Sequence, residues 1–385
     1  MTGDDDVIVV GAGPAGAVAA TLLARAGARV RLIDRLCFPR DKLCGDTVNP
    51  GTLAILRRLG MAGAVEGRGL RVDGMVVTGE RGVRVACRYP HDLYGRALVR
   101  REMDLALVEH ALAAGAQFEP QTVVRRAIVH EGRPLRVAGV VVGVSGSERE
   151  LRSRVVIAAD GRHSTVAFGL GLARHPKRPR RWALGAYFDN VAGLSACGEM
   201  HVRRGRYIGV APVPGGLTNV CLVKAWDPAA GDIPLRDPAA ALRRELTRDP
   251  ALADRFAAAR LVAPPVVLGP LAVDVRDAGL DGLFLAGDAA GFIDPMTGDG
   301  LRFAVHGAEL VARAALQALE QGWPGVHQRI AALRRREFAA KWRFNRTLRA
   351  LVSSPAAVVA AGTIASFAPG VLRGLVGFAG DCQID

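Results

Sequence analysis

VIVVGAGPAGAVAATLLARAGARVRLIDR, residues 7–35, is the stretch that decides the fold. Four consecutive apolar residues at 7–10 predict a strand covered on both faces, because such a strand needs no polar alternation. Gly11, Gly13 and Gly16 follow at a strand-to-helix turn. A helix is expected from about Pro14 to Ala26, closed by Gly27, and then a second strand at 29–33 ending at Asp34. Gly11 permits the tight turn, Gly13 lets backbone approach a pyrophosphate, and Gly16 lets helix and strand pack closely. The start of the helix, at Pro14 and Ala15, offers a positive dipole end to phosphates, with the N–H groups from Ala15 onward as donors. Asp34 is placed to accept hydrogen bonds from an adenosine ribose, with Arg35 beside it. The fingerprint binds a dinucleotide without separating FAD from NAD.

Two later segments decide for FAD. VVIAADGRHSTVA (155–167) is an apolar strand ending in Asp160-Gly161. GLFLAGDAAGFIDPMTGDGLRFAVHGAELVA (282–312) is a strand ending in Gly287-Asp288, then a Pro/Gly loop and a long helix. Each sets an aspartate at a strand's C-terminal end, the side on which open α/β sheets bind ligands. No second complete G-x-G-x-x-G follows a strand, since GLGLAR (169–174) lacks the third glycine. A dedicated NAD(P)H domain is therefore not expected. Electrons are expected from transiently bound NAD(P)H or from a separate reductase.

On these motifs the chain, from residue 5 to about 320, resembles the FAD-dependent aromatic-hydroxylase (group A flavin monooxygenase) superfamily, and within it the geranylgeranyl-reductase-like branch. The resemblance implies an α/β fold: a Rossmann-type, glutathione-reductase-like FAD-binding domain with an interleaved antiparallel-sheet substrate domain and C-terminal helices. FAD-binding parts are expected at 1–71, 96–180 and 276–322, substrate-domain parts at 72–95 and 181–275, and helices covering the pocket at 323–385. It further implies that Gly11, Gly13, Gly16 and Asp34 hold the ADP part and that Arg100, in RREMD, touches FAD from the start of a helix. Asp160 would order the flavin region, and Gly287 and Asp288 would meet the ribityl chain. Pro295, Gly298, Asp299 and Gly300 would pass beside the flavin ring, with the following helix pointing its N-terminus there.

The substrate half changes character. WALGAYFDNV (182–191), RYIGVAPVPGG (206–216) and LTNVCLVKAW (217–226) read as antiparallel strands, with helices near 236–246 and 325–350 and further strands within 72–90. Tyr187, Tyr207 and Pro212 are the pocket candidates. No His/carboxylate cluster has metal spacing, so no metal is expected. The low aromatic content of 5% suits an apolar cavity for a lipid, polyketide, phenolic or isoprenoid substrate.

Composition excludes other classes. The net charge of +14 rests on arginines spread along the chain, with four lysines among 51 basic residues, so it lacks the patch nucleic acid needs. Six cysteines without CxxC spacing and an acidic N-terminus suit a cytoplasmic chain with free thiols. The apolar tail at 351–378 is interrupted by Pro355, Pro369 and Arg373. It reads as a helical cover over a pocket or as a peripheral membrane contact.

Two reactions fit. Monooxygenation through a flavin C4a-hydroperoxide is the preferred expectation, and reduction of isoprenoid C=C bonds the alternative. A non-catalytic flavin-binding or electron-transfer protein is a third. The stretch DKLCGD (41–46) looks like the reductase branch, whose thiol lies near the flavin, which makes Cys44, with Gly45, a candidate both for catalysis and for cofactor contact. The aromatic Tyr-x-Trp-x-Phe-Pro signature of that branch is replaced here by RYIGVAPVP. The Trp-x-Trp-x-Ile-Pro signature of flavin halogenases is absent.

Overall fold

The computed structural model of the chain describes residues 5–42, 46–130, 132, 135–177, 181–225, 236–354 and 369–382. The run at 7–10 lies in β1 (Asp5–Val10), which faces two cores. Val7 and Val9 pack with helical residues such as Val18 and Val311, whereas Ile8 and Val10 pack with Val140 and Val142. Burial on both faces is the physical reason for an unbroken apolar run.

In chain order β1 is followed by α1 (Pro14–Arg25), β2 (Val30–Ile33), α2 (Pro50–Arg58), β3 (Gly74–Thr78), β4 (Arg84–Arg88) and α3 (Arg100–Ala113). Then come β5 (Gln117–Glu119), β6 (Val124–His130), β7 (Arg136–Val144), β8 (Ser147–Ala158), β9 (Arg181–Asp189), β10 (Cys197–Arg203), β11 (Arg206–Val213) and β12 (Leu217–Ala225). The chain continues through α4 (Pro238–Arg248), β13 (Leu283–Leu285), α5 (Gly300–Gln321), α6 (Val326–Ser353) and α7 (Pro369–Ala379).

One sheet runs β13–β8–β1–β2–β5, all parallel, with Val9 set between Leu32 and Ile157. Three distant segments thus share one layer, with α1 and α5 on one face. The other face is covered by β6 and β7, an antiparallel pair continued by the first half of β8, where Gly139–Val144 pairs with Arg152–Ser147. A second sheet runs β9–β12–β11–β10–β3–β4, antiparallel except at β10 with β3. Leu242 and Leu246 of α4 pack on one side of it, against Leu184, Ile208 and Leu222. The α/β architecture is the one expected.

Two elements depart from the sequence pattern. No strand is read at 197–203, yet β10 sits in the middle of the second sheet. Its Glu199, His201 and Arg203 are buried, while Met200 and Val202 are half-buried. The polar face is the buried one because it is internally paired. Glu199 bonds His201 and Arg255, and Arg203 bonds Asp249 and Thr78. The β6–β7 hairpin is likewise unanticipated, its arginines turned outward over a valine-rich inner face.

Candidate active site

Three turns converge on the start of α1. Gly11 has φ +95°, and a Cβ on it would lie 2.5 Å from the Ala159 carbonyl oxygen and 2.8 Å from the Asp160 Cα. A Cβ on Gly16 would lie 1.8 Å from the Gly11 oxygen, so helix and turn touch backbone to backbone. Gly287, at φ +58°, comes from the end of β13; its Cβ would sit 2.9 Å from that of Ala15. Gly13 occupies the N-cap position without a side-chain cap. The first N–H groups of α1 therefore have no side chain competing for an anion.

Carboxylates ring these turns. Asp34 is buried; its Oδ2 accepts from the Ala12 amide at 2.8 Å and its Oδ1 from the Leu36 amide at 2.9 Å. Asp160 accepts from the Thr165 amide through Oδ2 at 2.8 Å, and its buried Oδ1 has no partner within the protein. Burial raises the pKa of Asp160 above the ordinary carboxylate range. Asp288 is half-buried in the turn after β13 and Arg35 is exposed.

Arg100 opens α3 and grips Asp104 with Nε at 2.7 Å and Nη2 at 2.9 Å. Asp104 also pairs with Arg40 at 3.1 Å. The Arg40 guanidinium lies beside the glycine turn, 3.6 Å from where a Cβ on Gly13 would be, and its buried Nε has no partner. Sequence reading passed over Arg40, whose only signal was a cation between a proline and an aspartate.

The loop before α5 is built with equal care. Asp294 caps it by accepting from the Met296 amide at 3.1 Å, and Gly298 takes the left-handed conformation at φ +69°. Asn345 of α6 donates to Thr297 at 2.6 Å and Lys341 to Asp299 at 3.0 Å. Asp299 precedes α5 without capping it by its side chain, so the helix N-terminus stays open at Gly300. An uncapped helix end, a glycine cradle in which no side chain fits, and an unpartnered buried carboxylate oxygen all suit the phosphates, hydroxyls and ring of FAD.

Beyond this loop lies a cavity of about 500 Å³. Pro295–Gly298, Asp46 and Asn219 are among the residues that line it. Its walls are Met75 and Val77 of β3, Met200 and Val202 of β10, and Gly209 and Ala211 of β11. Phe344 and Leu348 of α6 with Leu375 and Val376 of α7 cover it. The last turn of α7 is tied down by Asn49, which donates to the Ala379 carbonyl at 3.3 Å, by the Gly51 amide on Gly380 at 3.2 Å, and by Arg302 on Asp381.

Among the described residues two carboxyls line the cavity, and they differ. Glu199 is pulled down to about 2 against the cost of its burial, by His201 and Arg255. Asp46 is raised, chiefly by burial, although Tyr187 donates to its Oδ2 at 2.8 Å, Asn219 to the same oxygen at 2.6 Å and the Arg100 amide to Oδ1 at 3.1 Å. In the sequence Asp46 entered only as a neighbour of the thiol, and Asn219 not at all.

Of the pocket candidates, Tyr207 lines the cavity, with its hydroxyl donated to Asp294 beneath it. Tyr187 and Pro212 are not among the lining residues; Tyr187 reaches the cavity through Asp46. Gly11, Gly13, Pro14, Ala15, Gly16, Asp34, Asp160, Gly287 and Asp288 are brought together around α1, and Pro295, Gly298, Asp299 and Gly300 join cradle to cavity. Cys44 and Gly45 lie outside the described residues, as does the tail at 355–368. Among the described residues no group of three or more His, Cys, Asp or Glu is placed to hold a metal, and no helix is long and apolar enough to cross a membrane.

A dinucleotide cradle whose loop opens on an apolar cavity defines an FAD-dependent oxidoreductase. The chain belongs to the family described as "FAD binding domain", whose model matches residues 4–341. It is 30% identical to Menaquinone reductase of Mycobacterium tuberculosis, over 85% of this chain and 81% of that protein. It is 31% identical to Digeranylgeranylglycerophospholipid reductase 1 of Methanopyrus kandleri, over 82% of this chain and 81% of that protein. Conditioned medium factor receptor 1 of Dictyostelium discoideum is 27% identical, and the match spans 64% of that longer protein. The solved structure of the myxobacterial chondrochloren halogenase CndH is similar with a TM-score of 0.79 at 23% identity, over 96% of this chain and 90% of that one. At that identity the likeness is one of fold.

Proposed function

We propose that this oxidoreductase reduces carbon–carbon double bonds in an isoprenoid chain carried by a lipid or quinone. The observation that carries the reading is the cavity: apolar on its walls and cover, lined by the Pro295–Gly298 loop, with Asp46 the one lining carboxyl outside an ion pair among the described residues. The reductase names borne by relatives at 30–31% identity support it and move the preference away from monooxygenation.

Bound FAD, once reduced, supplies the hydride equivalent; the protein supplies everything else. Gly11, Gly13, Gly16 and the start of α1 receive the pyrophosphate, Asp34 the adenosine ribose, and Asp160 and Asp288 the hydroxyl-bearing remainder. Arg40 and Arg100, pinned through Asp104, set cationic charge beside the phosphates. The cover of α6 and α7 excludes water and holds an apolar chain in one orientation. Electrons come from NAD(P)H or a separate reductase. The exposed arginines of α6, including Arg335, Arg336, Arg343 and Arg346, suit a peripheral membrane contact where such substrates reside.

Product analysis tests the proposal. FAD-loaded protein, reduced chemically under argon and mixed with a polyprenyl quinone or a geranylgeranyl lipid, should yield products that have gained one H2 per double bond consumed. Monooxygenation remains the second reading, because the same apolar cavity suits oxygen chemistry that water would quench. It is favoured instead if substrate turnover requires O2 and the product gains an oxygen atom.

A further inference from the structure

Asp46 is the carboxyl that the cradle leaves unused. It lines the same cavity as Pro295–Gly298, it is 4% exposed, and two strands of the second sheet and the start of α3 converge on it. Tyr187 reaches it from β9, Asn219 from β12 and the Arg100 amide from the start of α3. Glu199, the other carboxyl of the cavity, is committed to His201 and Arg255.

Resting on the reductase reading, we propose that Asp46 is the acid that protonates the substrate double bond. Adding hydrogen across C=C requires one hydride and one proton on the two carbons. The hydride would come to the more substituted carbon from reduced FAD, the group that would be oxidised. The π electron pair forms a C–H bond to the proton of the Asp46 carboxyl at the other carbon. The acid is left as carboxylate and is reprotonated from solvent before the next turnover. Tyr187, Asn219 and the Arg100 amide are then already in place to hold the carboxylate, so its charge develops against three fixed donors.

Burial is the dominant influence on this carboxyl and raises its pKa, which favours the acid form over the carboxylate. Among the groups facing it, the Tyr187 hydroxyl is itself shifted upward by burial and by Asp46 and stays protonated. Arg100 is turned to Asp104 through its guanidinium while its amide meets Asp46. The acid must be protonated to act, so the rate is full below its pKa and falls as pH rises through it.

The test uses FAD-loaded holoenzyme, reduced anaerobically with dithionite and mixed with geranylgeraniol in detergent micelles. Asp46→Asn should keep its flavin absorbance and slow reoxidation by geranylgeraniol by about a hundredfold or more. It should also lose the high-pH limb. In substrate-free wild type, infrared difference spectra against Asp46→Asn should show the C=O stretch of a protonated carboxylic acid on the low-pH side of the rate profile. Tyr187→Phe, which removes a donor to the anion, should move the high-pH limb upward, and it decides the matter if Asp46→Asn does not fold. Reoxidation of flavin-loaded Asp46→Asn at the wild-type rate overturns the role while leaving the reductase reading intact, and so does a missing carboxylic band. A wild-type enzyme that geranylgeraniol does not reoxidise overturns both.

Discussion

Lys341 Nζ lies 3.0 Å from Asp299 Oδ1, and both side chains are almost wholly buried. The same ammonium donates to the Phe378 and Ala379 carbonyls at the end of α7. One cation on α6 therefore joins the loop at the cradle to the helix that covers the cavity. Removing it strands a buried carboxylate, a change that costs about 3–5 kcal/mol. Lys341→Met should lower the thermal midpoint accordingly and loosen the cover. Lys341→Met with Asp299→Asn should recover part of the loss, because the two sites share one interaction. Calorimetry of the single and double variants checks this.

Retention of FAD should depend on backbone contact at α1. Gly16→Val places a side chain where the Gly11 carbonyl already sits. The variant should purify without yellow colour, and its absorbance at the flavin band is the readout. Wild-type flavin content in Gly16→Val would show that the cofactor is held elsewhere.

Cavity length should be adjustable from β11. Gly209 lines the cavity, and a Cβ there meets nothing closer than 3.9 Å, the Cys221 carbonyl oxygen. Gly209→Trp should therefore fold and keep FAD while filling space a long chain needs. The KM for a geranylgeranyl substrate should rise by about tenfold or more while a short alkene is affected less, on the scale of a few kcal/mol for an occluded pocket. Steady-state kinetics with a chain-length series tests it.

Cys44 and Asp46 compete for one role. If Asp46 is the acid, Cys44→Ala should slow flavin reoxidation by less than about tenfold, far less than Asp46→Asn, since general acid catalysis is worth about a hundredfold or more. Stopped-flow traces of the two variants side by side check the order. The reverse order would return the acid to the thiol.

The parallel sheet was legible because its physics is local. VIVV, the three glycines and Asp34 are constrained by contacts within one strand–turn–helix unit, and the later strands at 155–158 and 283–285 repeat the buried pattern. The strand at 197–203 was illegible because its buried face is polar. Glu199, His201 and Arg203 are satisfied by Arg255, Asp249 and Thr78, residues from remote parts of the chain, and hydropathy carries no trace of such pairing. The same holds for the active site. Asp34 and Asp160 could be placed from the strands they end. Asp46 acquires its meaning from Tyr187 and Asn219, more than a hundred residues away. Arg40 acquires its meaning from Asp104.

The most direct test of the account is the fate of the reduced flavin without oxygen. The FAD-loaded protein is reduced under argon, mixed with a polyprenyl alkene, and followed at the oxidised-flavin band while the product is analysed by mass. The band should return in step with saturation of a double bond. A band that stays bleached until O2 is admitted, with oxygen then found in the product, would contradict it.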